Sequence, residues 1–190
     1  MFAAVPNLFR RTESVMKFSQ FAVAVGLALA SSCVLAAEGA GPNDAQIAAI
    51  VVTANQVDID AGQLAKSNSK SKDVQDFAQL MITDHSGVNK SAKDLVTKLH
   101  VTPESNPTSE SLKSGGDQNL ASLRKLSGHA FDKAYVDHEV AYHQAVLDAV
   151  DKTLIPSAKN AELKALLVKV RPAFVAHLDH AKHLQASLGK

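Results

Sequence analysis

The sequence predicts an all-α fold, a bundle of four long helices. Four segments repeat apolar residues at the alternating three- and four-residue spacing that places them on one helical face. No segment after residue 37 alternates in the two-residue pattern of a half-buried strand. The chain has 190 residues, of which 46% are hydrophobic and 21% are charged. This length and composition fit one domain with a buried core.

The first two helices are predicted to form an antiparallel hairpin. Helix one begins after the N-cap residue Asn43, and helix two begins after the N-cap residue Ser71. Only a short turn around Ser69 and Lys70 separates them, so they should lie side by side. Their core faces are Ile47, Val51, Ala54, Asp58, Ala61 and Ala65, followed by Val74, Ala78, Met81, His85, Val88, Ala92, Leu95 and Leu99.

The last two helices are predicted to form a second hairpin. Helix three covers residues 128–154, and the short turn Ile155-Pro156-Ser157 connects it to helix four. Pro172 falls inside helix four and should kink that helix or split off its first turns. The core faces are Val136, Val140, His143, Leu147, Val150 and Leu154, followed by Leu163, Leu167, Val170, Phe174, His177, Ala181, Leu184 and Leu188.

The connection between the hairpins, residues 101–127, is rich in Pro, Ser and Gly. We expect a short helical turn near residues 119–125 and a solvated loop over residues 103–116. A four-helix bundle with one long connection between its second and third helices has the ferritin-like arrangement. The predicted architecture is therefore a ferritin-like four-helix bundle of two antiparallel hairpins joined by a long crossover.

Residues 1–37 are predicted to be a secretory signal peptide, which leaves residues 38–190 as the bundle domain. A basic stretch precedes an apolar run over residues 21–30, which is too short to span a bilayer. Small residues then allow cleavage near Ala36 or Ala37. A lipid anchor at Cys33 fits less well, because the aliphatic residue usual three positions earlier is missing. The predicted location is the periplasm or the medium, with no transmembrane span after signal removal.

Charge and cysteine content exclude several classes of protein. Lys and Arg total 20 against 19 for Asp and Glu, which argues against a nucleic-acid partner. The single cysteine, Cys33, excludes internal disulfides and cysteine-rich structural zinc sites. The sequence has no nucleophile motif, phosphate loop or dinucleotide fingerprint. A homo-oligomer and an enzymatic activity are both left open.

Every predicted helix carries a polar residue in the middle of its core face: Asp58, His85, Glu139 with His143, and His177. Counted from the hairpin turns, they lie at similar heights, with a mismatch of about 4.5 Å between helices one and two. Imidazoles and carboxylates suit iron, zinc, manganese or copper, and bundle cores commonly hold such sites. We therefore expect a transition-metal centre with His85, His143 and His177 as nitrogen ligands and Glu139 or Asp58 as carboxylate ligand or base. An open position would permit water activation or stress-related redox chemistry.

The same residues also suit a metal-free core. Asp58 and Glu139 could accept hydrogen bonds from the imidazoles and so fix the helix register. Glu139 and His143 are four residues apart, as in an ordinary helical ion pair. The protein would then be an envelope-associated structural or interaction module. Asp84 is predicted to accept a hydrogen bond from an imidazole of another helix, and His180 is a reserve ligand.

Four runs of sequence, one in each helix, resemble the bacterial domain-of-unknown-function family 4142. They are Asn55-x-x-Asp58-x-x-x-Gly62-x-Leu64-Ala65, Phe77-Ala78-x-x-Met81-x-x-Asp84-His85, Ser127-Gly128-x-Ala130-Phe131-Asp132-x-x-Tyr135-Val136 with Val140-x-x-His143, and Pro172-x-x-x-x-His177-Leu178-x-x-Ala181. The resemblance covers residues 44–188 and implies a secreted protein with a ferritin-like fold. We expect Glu in the family where this chain has Asp58. The resemblance does not imply a di-iron centre, because helices two and four lack Glu-x-x-His.

Overall fold

The computed structural model describes residues 41–189 and confirms an all-α bundle, with no strand in that range. Its helices are α1 (Asp44–Asn68), α2 (Lys72–Lys98), α3 (Pro107–Leu123), α4 (Gly128–Ala149) and α5 (Ala161–Leu188). The predicted signal peptide, its cleavage near Ala36 or Ala37 and the anchor at Cys33 lie outside the described residues. Between residues 41 and 189, no helix has an apolar stretch of the length that crossing a bilayer requires.

Side chains fix the beginning of α1. The Asn43 side chain accepts a hydrogen bond from the backbone N–H of Gln46, and the Gln46 side chain accepts one from the backbone N–H of Asn43. This reciprocal capping box satisfies two backbone donors that the helix leaves unpaired. The carboxylate of Asp44 accepts hydrogen bonds of 2.9 and 3.0 Å from the backbone N–H groups of Lys159 and Asn160. The first and last helices are therefore tied together where both begin.

The two predicted hairpins are present. α1 packs along α2, and α4 packs along α5, while contacts of α2 with α5 and of α1 with α4 join the two pairs. Gly62 allows a close approach of the two helices in the first hairpin. A Cβ atom at Gly62 would lie 3.0 Å from the backbone oxygen of Ala78 and 3.1 Å from Cγ1 of Ile82. The absence of a side chain at Gly62 thus brings α1 and α2 close enough to face the same interior.

The long connection contains a fifth helix, α3, so the prediction of a solvated loop over residues 103–116 is wrong. The Asn106 side chain accepts hydrogen bonds from the backbone N–H groups of Thr108 and Ser109 and so caps this helix. Pro107 occupies the first position of α3, where a missing N–H costs nothing. An N-cap signal was therefore present in the sequence, although the polar composition of the segment obscured it.

α3 packs along α1 because Gly116 faces that helix. A Cβ atom at Gly116 would lie 2.7 and 2.9 Å from the two Cγ atoms of Val57. Farther along α3, Leu123 is buried in the bundle core. The crossover is thus part of the packed structure and covers one side of the first hairpin.

The second hairpin differs from the prediction at two points. The helix expected over residues 128–154 changes at Val150, where a π-helix, Val150–Leu154, and a single helical turn, Ile155–Ser157, follow α4. α5 continues through Pro172, so its first turns do not split off. Pro172 nevertheless has no N–H to donate to the carbonyl of Val168. Both irregular segments lie in the same half of the bundle.

The buried interior consists of two apolar clusters with a polar layer between them. The aliphatic cluster includes Ile47, Ile50, Val88, Leu147, Leu163, Leu167 and Phe174. The aromatic cluster includes Ala61, Phe77, Met81, Phe131, Tyr135 and Val136. On α1, α2 and α4, the mid-helix polar residues lie in sequence between the residues of these two clusters. On α5, His177 lies between Phe174 and Leu178 at the end of the aliphatic cluster.

Candidate metal centre

The structure brings together all five residues predicted to form a metal centre. Asp58, His85, Glu139, His143 and His177 are each at most 3% exposed. They form two groups of three in which one ligand atom of each residue lies within 4.8 Å of the others. One group consists of the three histidines, and the other consists of Asp58, Glu139 and His143. Four helices therefore contribute side chains to one buried layer.

The three imidazole rings form a nearly equilateral triangle. Their centres are 5.5 Å apart for His85 and His143, 5.2 Å for His85 and His177, and 5.4 Å for His143 and His177. A metal–nitrogen bond of about 2.0–2.1 Å and a ring radius of about 1.1 Å give centres roughly 5 Å apart at a tetrahedral ion. The ring spacing therefore fits coordination of one ion by all three histidines.

Asn55 determines which nitrogen of His85 is free. Its Nδ2 donates a 2.7 Å hydrogen bond to the carbonyl of Val51, so its Oδ1 faces Nδ1 of His85, also at 2.7 Å. Because an amide oxygen can only accept, Nδ1 of His85 carries the proton. Nε2 then presents a lone pair and has no hydrogen-bond partner in the described part of the chain. This nitrogen lies 3.2 Å from Oδ2 of Asp58.

The other two rings repeat this arrangement. Nδ1 of His143 donates a 3.0 Å hydrogen bond to the backbone carbonyl of Glu139, and Nε2 of His177 donates a 2.9 Å hydrogen bond to Oδ2 of Asp84. The predicted contact of Asp84 with an imidazole of another helix is thus confirmed. The remaining nitrogens, Nε2 of His143 and Nδ1 of His177, lack partners among residues 41–189. Metal-binding histidines typically use one nitrogen for a protein acceptor and the other for the ion.

Burial keeps the imidazoles of His85 and His143 neutral. It lowers the pKa of His85 to about 3, with a smaller lowering contribution from His177. Burial also lowers the pKa of His143 to about 4, although Asp58 opposes part of this effect. Neutral imidazole is the form that binds metal ions, so both rings are in the binding-competent state at neutral pH.

The carboxylates lie beside the imidazoles. Oδ2 of Asp58 is 3.2 Å from Nε2 of His85 and 3.6 Å from Nε2 of His143. Neighbouring ligand atoms of a tetrahedral ion with bonds of about 2.0–2.1 Å lie about 3.3 Å apart, so Asp58 fits a fourth ligand position. Burial raises the pKa of Glu139 well above its usual range, and the nearby Asp58 carboxylate raises it further. The protonated form of Glu139 is therefore favoured beside Asp58.

Several polar atoms of this layer have no hydrogen-bond partner within the described range: Oδ1 of Asp58, both carboxyl oxygens of Glu139, the Tyr135 hydroxyl and the three free ring nitrogens. A buried polar atom without a partner costs about 1–3 kcal/mol. Burial, followed by Glu139, also raises the pKa of Tyr135. A cation in the layer would remove the largest mismatch, which is the lone pair of His85 facing the Asp58 carboxylate.

Sequence reasoning missed the orienting role of Asn55 and misjudged His180. Asn55 lies three residues before Asp58, and this spacing places both on one face of α1. His180, the reserve ligand, is exposed and packs edge-on against Phe77 with ring centres 5.0 Å apart. It belongs to neither candidate metal group found in residues 41–189. The separation of Nδ1 of His143 from Oε2 of Glu139 is 3.4 Å, but both are buried, unlike an ordinary surface ion pair.

Comparison with known proteins identifies one related family. A family model described as "Domain of unknown function (DUF4142)" matches residues 30–184. The matched range contains all five residues of the polar layer, as well as Asn55 and Asp84. No curated protein and no solved structure matches the chain.

Proposed function

We propose that this chain, which belongs to the DUF4142 family, binds one transition-metal ion in the core of its helical bundle. The proposed ligands are Nε2 of His85, Nε2 of His143, Nδ1 of His177 and a carboxylate oxygen of Asp58. The protonation pattern carries the proposal: each ring donates its N–H to a protein acceptor and leaves its other nitrogen free. Iron, zinc, manganese and copper all accept this donor set.

The shared histidine favours one ion over two. His143 belongs to both groups of potential ligands, yet its Nδ1 already donates to the carbonyl of Glu139. Only Nε2 of His143 remains, so the two groups cannot bind separate ions at the same time. We assign the ion to the three imidazoles, because their ring spacing fits coordination and their outer nitrogens are held in place. Glu139 is then a protonated neighbour of Asp58 rather than a ligand.

The surrounding residues can support proton-coupled chemistry. A transition ion with three imidazole ligands can activate water or exchange electrons with a small molecule. Burial and Asp58 raise the pKa of Glu139, which favours its protonated form. The Tyr135 hydroxyl adds to this buried pair, since Glu139 and Asp58 both raise its pKa. Glu139 is therefore the group in the layer best suited to donate a proton.

We also propose that the protein is exported to the periplasm or the medium and has a ferritin-like topology. The basic, apolar and small-residue pattern of residues 1–37 supports export. The long crossover between two helical hairpins supports the topology. A stress-related role would follow from redox chemistry at the centre.

Metal content tests the proposal. Protein produced without a histidine tag and supplemented with iron, zinc, manganese and copper should contain about one equivalent of metal by elemental analysis. His177→Ala should lose most of the metal. His183→Ala changes an exposed histidine of the same helix and should retain it. A folded wild-type protein with less than about a tenth of an equivalent would instead support a metal-free structural or interaction module.

Asp84 offers a second test that leaves every ligand in place. Asp84→Ala removes the acceptor that orients His177 and should weaken metal affinity about 10–100-fold in a competition titration. Asp76→Ala changes an exposed carboxylate of the same helix and should leave the affinity unchanged. Equal affinities of the two variants would contradict the assigned role of His177.

A further inference from the structure

A cavity of about 150 Å³ lies directly beside the polar layer. Its walls come from the aliphatic cluster and include Ile50, Leu154, Leu167 and Phe174. Asn55, Asp58 and His85 also line it. The polar atoms of these three side chains face one another or the neighbouring helices, with Asn55 hydrogen-bonded to Nδ1 of His85 and Asp58 beside Nε2 of His85. The cavity is thus apolar on nearly all sides and adjoins residues of the proposed metal centre at one edge.

Two irregular helical segments form part of its wall. Val150 and Leu154 belong to the π-helix, and Val170 and Phe174 lie on either side of Pro172 in α5. π-Helical turns inside α-helices are frequent at functional sites. The packing defect therefore coincides with two departures from regular helix on neighbouring segments.

A surface cleft between α3 and α4 adjoins the cavity. The cleft and the cavity share Thr108, Leu112 and Tyr142 as lining residues. Tyr142 is held in place, because its hydroxyl donates a 3.0 Å hydrogen bond to the carbonyl of Ala54 and its ring stacks on His138. Thr108 is exposed. Leu112 is half-buried, and its aliphatic side chain can make no hydrogen bond that would hold it in place. The cavity therefore lies close to the surface where it borders the cleft.

We propose that the cavity binds a small, uncharged and largely apolar molecule that enters between α3 and α4. A dry cavity of roughly 150 Å³ lined by aliphatic side chains accommodates benzene or xenon. None of the described residues lining this cavity is Lys or Arg, so an anion would lose its hydration without compensation. The molecule would lie against the Asp58–His85 edge of the layer. Its role as a substrate of the metal centre rests on the proposed function, whereas its binding does not.

Binding is tested on the metal-free protein after chelation. Saturating benzene should raise the melting temperature of the wild type by a few degrees, and dissolved xenon should show a bound signal by NMR. Val146→Phe fills the cavity from α4 and should abolish both effects. Val168→Phe makes the same change on an exposed face of α5 and should preserve them. If Val146→Phe fails to fold, Ala149→Leu at the same wall replaces it.

Absence of any benzene or xenon effect in the wild type would overturn the proposal. Equal effects in the filled variant and in Val168→Phe would overturn it as well. In either case the metal content of the protein would be unaffected, so a failure here is distinct from a failure of the metal centre.

The substrate role is tested with Co²⁺ as a spectroscopic probe. Benzene should change the visible absorption of the Co²⁺-loaded wild type but not that of the filled variant. If benzene binds and the Co²⁺ spectrum stays unchanged, the molecule does not reach the ion and the substrate role is wrong. If Co²⁺ does not bind while benzene does, the metal proposal fails and the cavity assignment stands.

Discussion

The polar layer separates two halves of the bundle that pack differently. On the aromatic side, Phe77, Phe131 and Tyr135 have no exposed surface in the described structure, and the rings of Phe77 and Tyr135 meet edge to face at 6.2 Å. On the aliphatic side, the structure contains a cavity of about 150 Å³ and a π-helix. The layer is therefore closed on one side and adjoins free space on the other.

This difference indicates that the aromatic half contributes more packing stability, whereas the aliphatic half contains the free volume beside the polar layer. Protein interiors are normally packed as densely as organic crystals. Side chains that border free space lose van der Waals contacts, so the aliphatic side is packed less well around this cavity. The aromatic half contains the largest fully buried side chains, so it can compensate for looser packing elsewhere. The proposed binding of a small molecule would account for free space on this side of the polar layer.

The largest expected effect comes from a large-to-small substitution in the tightly packed aromatic half. Phe77→Ala should lower the free energy of unfolding by about 3–5 kcal/mol, because the side chain is fully buried and its neighbours cannot collapse into the gap. Urea unfolding followed by circular dichroism measures this value. Leu80→Ala, at a 36%-exposed leucine of the same helix, should stay within about 1 kcal/mol of the wild type. Similar losses for both variants would contradict the contrast between the halves.

The free energy of unfolding of the metal-free protein should depend on pH because of the polar layer between the two halves. In the metal-free protein, burial lowers the pKa of His85 to about 3 and that of His143 to about 4. The unfolded chain takes up protons at these residues near pH 6.5, so the free energy of unfolding falls as the pH drops below that value. Glu139 acts in the opposite direction, because its raised pKa stabilises the fold toward low pH and this contribution is lost as the pH rises above about 4.3.

Between pH 6.5 and 4.5, the free energy of unfolding should fall by at most about 2.7 kcal/mol per pH unit, the value for two protons, and Glu139 makes the slope smaller. Urea unfolding at pH 6.5, 5.5 and 4.5 measures the slope. Glu139→Gln removes the opposing contribution and should make the slope steeper. A flat profile in the metal-free wild type would show that the histidines are not held neutral by burial.

Two adjacent glycines test how tightly α3 covers both halves. Gly116→Ala should destabilise the protein by about 1–2 kcal/mol, because the new methyl group meets Val57, a stiff β-branched side chain. At Gly115, no atom of the described residues lies within 4 Å of the position that a Cβ atom would take. Gly115→Ala should therefore stabilise the helix by about 0.5–1 kcal/mol. Thermal and urea unfolding of the pair measure the difference in sign, and the same sign for both would contradict the close packing of α3 on α1.

The smallest expected effect on stability concerns the cavity side of α3. Leu112→Ala should cost about 1 kcal/mol or less, because Leu112 is half-buried beside an existing cavity. The same change should speed the exchange of xenon in and out of the protein, measured by NMR line widths. A loss comparable to that of Phe77→Ala would mean that both halves are equally well packed.

The sequence allowed much of this arrangement to be predicted, because helical spacing is a local property. The core faces of four helices and the five buried polar residues all followed from repeats of three and four residues. The contacts between side chains of different helices were harder to predict from the sequence. The contact of Asn55 with His85 spans thirty positions along the chain and depends on how α1 meets α2. The exposure of His180 depends in the same way on the rotation of α5 within the bundle.

Features that arise from packing or from weak sequence signals escaped prediction. α3 buries only Ser109, Gly116 and Leu123, so its apolar pattern is too sparse to stand out. The π-helix at Val150–Leu154 lies within a run whose spacing also suits an ordinary helix. The cavity is a volume that surrounding side chains leave unfilled, and no single residue in the sequence encodes it.

Asp84 gives the buried centre a second connection with its surroundings. Its side chain is 38% exposed, while its partner His177 is only 3% exposed, and one hydrogen bond of 2.9 Å joins them. The Asp84 carboxylate thus connects solvent at the surface with the buried imidazole of His177. We expect protons to exchange along this polar contact without opening of the helices, on a path separate from the entrance proposed between α3 and α4. Protons and the proposed uncharged small molecule would therefore reach the metal centre from different directions.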